Sequence, residues 1–225
     1  MKRYDLHVHT DFSDCSINQI GEILRVAKRK GLSGLAITDH NTIKGALALR
    51  RLNKDKNFEI ITGEEVSTEL GHILIYFVKK TIKSGKFEEV IKKARKQKAL
   101  IVLAHPFNIF SEKIGHFSGA KNYRGSVNVE DKRIKLLNGI EGLNGRCFLK
   151  KENDMAQKLA KRYDKLLTAG SDAHFNSEIG SCWVEFDSKY PLREAIEKGK
   201  IKLGGKGKNV LFHRLKSGLL KIWGR

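Results

Sequence analysis

The sequence predicts an α/β fold built on a parallel sheet, and three observations carry that prediction. Short apolar runs recur along the chain, helix-period segments lie between them, and the joins are punctuated by glycine rather than proline, 21 against 2 in 225 residues. The first run, Tyr4 to His9, reads as a strand. Ser16 and Gln19 follow at capping-box spacing, and Ile17, Ile20, Leu24 and Ala27 continue at helical intervals towards a stop at Gly31. Leu35 to Thr38 is the next strand, which completes one strand, helix, strand unit. A helix from Ile43 to Leu52 then precedes a strand from Glu59 to Thr62. Gly71 to Val78 breaks the alternation and predicts a hairpin partner for the strand ending near Glu65. A helix around Phe87, Val90, Ile91 and Ala94 leads into the strand Ala99 to Ala104. Gly139 to Leu143 and Leu166 to Ala169 are two further strands, separated by a helix around Met155, Leu159 and Tyr163. Pro191 opens the last predicted helix and Gly199 stops it. Such alternation predicts a sheet that is either doubly wound or closed into a barrel. The stretch from Pro106 to Asn138 is a long connection, of a kind that is usually functional or mobile.

Composition narrows the function. Forty per cent hydrophobic residues suffice for a core and exclude a mainly disordered chain, while 44 Lys and Arg against 25 Asp and Glu leave a formal charge of +19. No apolar run approaches the roughly 18 residues of a membrane span. The start, MKRYDLHVHT, has charges where a secretory signal needs an apolar stretch, so a cytoplasmic protein is expected. Cys15, Cys147 and Cys182 include no C-x-x-C pair, which excludes a disulfide framework and a cysteine zinc knuckle.

The histidines carry the chemistry. Of eight, six stand beside the apolar runs: His7, His9, His40, His72, His105 and His174. In a β/α barrel the strand ends and the loops after them face one pole, so residues distant in sequence converge there. His7 and His9 share one face of a strand because side chains alternate. Alone that pair is a weak signal, but Asp14, His40, Glu65, His72, His105, Asp172 and His174 can reach the same pole, which makes nine candidate ligands. One ion takes about four to six donors, so nine predict a cluster of two or three ions bridged by a carboxylate. Imidazole and carboxylate without thiolate suit Zn²⁺, Mn²⁺ or Fe²⁺. Blander roles exist for some of these residues: His72 as a core histidine, Asp14 as a helix cap. Asp39 is expected to orient a ligand histidine through its second ring nitrogen. Glu64 and Glu65 point opposite ways, so one of them faces the site. His116 and His213 lie outside the pattern.

The strings DLHVHTDFSD, AITDH, GEEVS, AHP and GSDAH, in this order from Asp5 to His174, resemble the PHP (polymerase and histidinol phosphatase) superfamily, and in particular its stand-alone metal-dependent phosphoesterases. The resemblance implies a distorted (β/α)7 TIM-like barrel over 1–205 with a trinuclear metal site at the C-terminal pole. It further implies that His7, His9, Glu65 and Asp172 hold one ion. Glu65 would bridge to a second ion on His72 and His105, and Asp14, His40 and His174 would hold the third. Glu65 is chosen over Glu64 because the family's G-x-E-x-S pattern falls on Gly63, Glu65 and Ser67. Cys15 departs from the family, where glycine commonly follows the aspartate.

Divalent ions lower the pKa of water to roughly 7 and stabilise charge on a phosphoryl group, so hydrolysis of a phosphate mono- or diester by metal-activated hydroxide is the expected reaction. Arg146 follows a strand and is expected to clamp the substrate phosphate. Asp172 and His174 are the expected proton carriers. The charge favours a polyanion, hence a nucleotide or oligonucleotide end as substrate. Alternatives are a small-metabolite phosphatase of the histidinol-phosphate type, a non-catalytic nucleic-acid-binding scaffold, or a metal-dependent amidohydrolase. The segment 206–225 reads as a basic amphipathic extension, with Leu211, Leu215 and Leu219 at helical spacing. It is expected to pack on the barrel, with nucleic acid or an anionic membrane as other partners.

Overall fold

A computed structural model describes residues 1–108, 128 and 130–206. The extension after Lys206 and most of the connection after Pro106, with His116 and His213, lie outside the described residues. In chain order the elements are β1 (Lys2–Val8), α1 (Ile20–Arg29), β2 (Gly34–Ile37), α2 (Lys44–Leu52), β3 (Glu59–Thr68), β4 (Gly71–Tyr76), α3 (Phe87–Lys96), β5 (Leu100–Leu103), β6 (Gly139–Asn144), α4 (Lys150–Arg162), β7 (Leu166–Gly170), β8 (Cys182–Phe186), α5 (Leu192–Glu197) and β9 (Lys202–Gly205). The strands follow the order β7-β6-β5-β4-β3-β2-β1-β8-β9. Neighbours from β1 to β3 and from β5 to β7 run parallel, while β4 is antiparallel to both of its neighbours, as the hairpin expectation requires.

The sheet curls into a nearly closed barrel. Beyond the end of β7, Ala173 forms a parallel bridge to Val8, with His9 N–H donating to Ala173 O at 3.0 Å. Buried Asp5 reinforces this seam by accepting from Ser171 N (2.8 Å), Ser171 Oγ (2.5 Å) and Gly180 N (2.7 Å). Burial pushes its carboxyl up to about 6, against the hydrogen bonds that favour the anion. Gly170 sits where any Cβ would run into the backbone of His7, so β7 and β1 can approach only because this residue has no side chain. The ribbon of β8 and β9, which sequence periodicity missed, pairs antiparallel with the lower half of β1 at Lys2, Arg3 and Tyr4. It fills the wall below the β1–β7 seam.

Three apolar clusters follow from this geometry. Ala36, Ile61, Leu74, Tyr76, Leu100 and Val102 fill the interior, and Leu192, Ala195 and Ile196 of α5 join them. Outside, α3 and α4 cover one side of the sheet and α1 and α2 the other. Strand β1 has a break in register between Asp5 and Val8. Tyr4 and Leu6 belong to the interior cluster but Val8 to an outer one, so the irregularity resets the pleat. It is what turns His7 and His9 inward on a strand whose first half already faces inward with the even-numbered residues. Among the described residues no helix is long and apolar enough to cross a membrane.

Candidate metal centre

Six of the seven barrel strands bring a donor to the same pole. His7 and His9 close β1, His40 follows β2 and bridges to Glu65 in β3, His105 follows β5, and Asp172 and His174 follow β7. His72 precedes its apolar run instead of following it. Because β4 is antiparallel, its start lies at the pole where its neighbours end, with His72 opposite Ser67. Alternation along β3 sends Glu65 inward and Glu64 outward, where Glu64 Oε1 accepts from Ile82 N at 2.9 Å.

Glu65 is the hub. Its Oε1 lies 2.9 Å from His72 Nδ1 and 3.1 Å from His105 Nε2, and its Oε2 lies 3.3 to 3.4 Å from ring nitrogens of His7, His9 and His40. Asp172 Oδ1 stands 3.6 Å from His7 Nε2 and 3.3 Å from His9 Nε2. The two Nε2 atoms are themselves 3.1 Å apart. With His7 Nδ1–H donating to Glu141 Oε1 at 2.9 Å, Nε2 presents a lone pair to the other lone pairs around it. A proton on an imidazole relieves part of the crowding of these four atoms, but only a divalent cation satisfies all of them at once, so the donor set fits a metal. Ligand atoms converge in four overlapping groups: His9, His40 and His174; His7, His9 and Asp172; His7, His105 and Glu141; and His40, Glu65 and His72.

Electrostatics follow from the crowding. Burial opposes charge on Glu65 and Asp172, but the surrounding histidines outweigh it and hold both carboxyls well below the usual range. His40 is pushed down to about 3 by burial and by His9 and His72. His174 is driven well below the usual imidazole range by burial, by the charge of Arg146 and by His9. Burial also opposes charge on His7, yet Asp172, Glu141 and Glu65 raise it well above its ordinary value. Three backbone positions at the pole are strained, with φ of +53° at Asn41, +23° at His105 and +55° at Asp172. Conformations of this kind cost of order 1–3 kcal/mol each for non-glycine residues and persist where the surroundings over-determine them.

Eight of the nine expected ligands come together, and Asp14 stands apart. Its side chain is exposed and belongs to none of the four groups, between buried Ser13 and Cys15. The reason is local: Ser13 is pinned inward by its hydroxyl, which donates to Asp39 Oδ1 (2.8 Å) and accepts from His40 N (3.0 Å), so the turn aims residue 14 outward. Asp39 also departs from expectation. It accepts from Thr10 N and Thr10 Oγ1 at 2.7 and 2.8 Å and among the described residues pairs with no imidazole, reaching His9 through Ser13 Oγ, 3.4 Å from His9 Nδ1. Ser16 does not cap α1, whose N-cap is Gln19; its hydroxyl lies 3.2 Å from the carbonyls of both His9 and His174 and fastens the two ligand loops. Sequence reasoning missed Glu141. Its Oε1 orients His7, and its Oε2 accepts from His105 N (2.9 Å) and Asn144 Nδ2 (3.0 Å), so both oxygens are engaged as a buttress. A carboxylate inside the apolar run Gly139 to Leu143, one strand from two ligand strands, was its only signal. Arg146 is buried at the same pole, 3.6 Å from Glu178 Oε2. The three cysteines are buried and none is in a disulfide.

A barrel with a histidine and carboxylate cluster at the C-terminal pole, beside a buried arginine, defines a metal-dependent hydrolase. The PHP domain family model matches residues 5–179, and the chain belongs to that family. It is a phosphoesterase, a hydrolase acting on phosphate esters. It is 32% identical over 187 residues to an uncharacterised protein of Methanocaldococcus jannaschii, covering 82% of this chain and 70% of that one. Among solved structures it is similar to a two-domain protein of Bacteroides vulgatus containing a predicted PHP-like metal-dependent phosphoesterase, with TM-score 0.71 and 18% identity over 91% of this chain and 65% of that one. It is also similar to the lesion-specific endonuclease Q of Pyrococcus furiosus, with TM-score 0.60 and 18% identity over 90% of this chain and 57% of that one.

Proposed function

We propose that the protein hydrolyses a phosphate mono- or diester at a nucleotide or oligonucleotide end, with two or three divalent ions of Zn, Mn or Fe. The observation that carries this reading is the convergence of His7, His9, Glu65 and Asp172 on one point, with Arg146 buried at the same pole. His7, His9, Glu65 and Asp172 would hold one ion, Glu65 with His72 and His105 a second, and His40 with His174 a third, drawing Asp14 in from the rim. When bound, such ions lower the pKa of water and offset phosphate charge. The chain supplies the rest. Arg146 binds the substrate phosphate through its planar fork, and burial together with the Arg146 charge disfavours protonation of His174. His174 and Asp172 are the proposed proton carriers at the site. Burial of His7, His9, Glu65 and Asp172 lowers the local dielectric and strengthens each of these contacts.

Charge selects the substrate class. A net +19 attracts polyanions and raises their encounter rate, and endonuclease Q, a similar fold, is seen in complex with a 27-mer duplex substrate that has an abasic lesion at the active site. The test compares a generic monoester, a diester and a 5′-phosphorylated oligonucleotide as substrates of the protein supplied with Mn²⁺ or Zn²⁺. Chelator-sensitive turnover that favours the oligonucleotide and weakens with salt supports the reading. Preference for a small monoester, indifferent to salt, would replace it with a metabolite phosphatase. Nucleic-acid binding without turnover by metal-loaded protein would make the protein a scaffold.

A further inference from the structure

Glu178 is buried on the loop that follows His174, and the reaction as derived does not use it. One of its oxygens, Oε2, does three things. It accepts from His174 N at 2.8 Å and from Phe175 N at 3.1 Å, and it lies 3.6 Å from Arg146 NH1. The last distance is an ion-pair contact beyond hydrogen-bond range, so Glu178 balances the guanidinium charge without accepting a hydrogen bond from that nitrogen. The loop that carries it is itself fixed, by Glu178 N to Phe175 O at 2.9 Å and Ser181 N to Glu178 O at 3.0 Å. At the other end, Arg146 N donates to Asn144 Oδ1 at 2.8 Å, so the arginine's backbone is held as well as its charge.

We infer that Glu178 is a positioning residue that holds Arg146 over the metal pole for the substrate phosphate and ties that clamp to the ligand loop of His174. The physical need is plain. A buried guanidinium beside His174 is repelled by the cations the centre is built to hold, and burying it unpaired is costly. The Glu178 carboxylate at ion-pair distance offsets that repulsion, and its two backbone hydrogen bonds keep the carboxylate in place. Clamp and metal ligand thus share one anchor. The inference rests on the reading of Arg146 as the phosphate clamp given above, and the two can fail separately.

The test measures binding of inorganic phosphate to the metal-loaded protein by calorimetry, together with KM, kcat and metal content. Glu178→Gln keeps an oxygen for the two N–H groups but removes the charge. Metal content is expected to stay at the wild-type value while phosphate affinity falls about tenfold and KM rises with it, kcat changing less. In an Arg146→Ala background the same change is expected to alter phosphate affinity by less than about twofold, because the residue through which Glu178 acts is gone. Glu178→Asp, which keeps the charge but withdraws it by one methylene, provides the same cycle should the glutamine variant fail to fold. An unaltered phosphate affinity in both Glu178 variants, or an equal loss with and without Arg146, would overturn the inference. If Arg146→Ala itself leaves phosphate affinity intact, the clamp reading fails first, and the inference fails with it.

Discussion

Glu141→Gln probes the least conspicuous part of the centre. Both carboxylate oxygens are engaged, one by His7 Nδ1–H at 2.9 Å and the other by His105 N and Asn144 Nδ2 at 2.9 and 3.0 Å. An amide has one accepting oxygen and one donating nitrogen. Whichever way it is turned, the nitrogen meets an N–H donor, either the ring of His7 or the backbone of His105. If it faces His7, the ring is driven towards the other tautomer and Nε2 loses the lone pair it presents to the centre. If it faces His105, a buried N–H is left without its acceptor at a cost of about 1–3 kcal/mol. Partners of this kind are worth about 10- to 100-fold in metal affinity, or roughly 1.4–2.8 kcal/mol. Competition titration against a chromogenic chelator, at a pH where the fold is intact by circular dichroism, reads that loss directly. Affinity within about twofold of the wild type would refute the buttress role and return Glu141 to an ordinary buried acid.

Further outcomes are expected elsewhere. Gly170→Ala forces a Cβ into the backbone of His7 at the barrel seam and should cost about 1–3 kcal/mol, lowering the melting temperature by roughly 2–12 °C, as differential scanning calorimetry would register; an unchanged Tm contradicts the seam. Glu64, whose outward carboxyl is pushed up to about 7 by burial, has a raised folded pKa, so the stability it permits is present at low pH and is lost as pH rises from the ordinary glutamate range through 7. Glu64→Gln should therefore gain up to about 3 kcal/mol over the wild type at pH 8 and little at pH 4, and a pH-independent difference in denaturant midpoints would refute this. Asp14→Asn should leave at least two ions bound, since its side chain lies outside the four donor groups; loss of the whole set would make the exposed position misleading. Oligonucleotide turnover should fall in kcat/KM as salt rises, and a flat dependence would count against a polyanionic substrate.

Much of this architecture was legible in the sequence because it depends on continuous apolar runs and period-3.6 patterns that survive packing. The seven barrel strands, the five helices and the hairpin of β3 and β4 are all of that kind. Strands β8 and β9 were not, since CWVEF is half exposed and KLGG carries two glycines, and neither run has the apolar continuity of a buried parallel strand. The ligand histidines were readable because imidazoles at strand ends are conspicuous. Their supports were not. Glu141 hides in an apolar run, Asp5 acts across 166 residues on Ser171, and Ser13 and Ser16 are serines in a turn whose value lies wholly in tertiary contacts. Asp14 and Asp39 show the converse: each was placed by chemical type, and local backbone geometry aimed one outward and gave the other to Thr10 and Ser13. The inward turn of His7 and His9 likewise depends on a register break in β1 that no alternation rule anticipates.

The shared carboxylate of Glu65 is the proposed organiser of a polynuclear centre that hydrolyses phosphate esters. Metal content by plasma mass spectrometry, on wild-type protein and on Glu65→Ala purified alike and both shown to be folded, tests it most directly. Two or three ions per wild-type chain are expected, fewer in the variant, with chelator-sensitive ester hydrolysis confined to the wild type. Equal metal content in the two proteins, with hydrolysis surviving in Glu65→Ala, would contradict it.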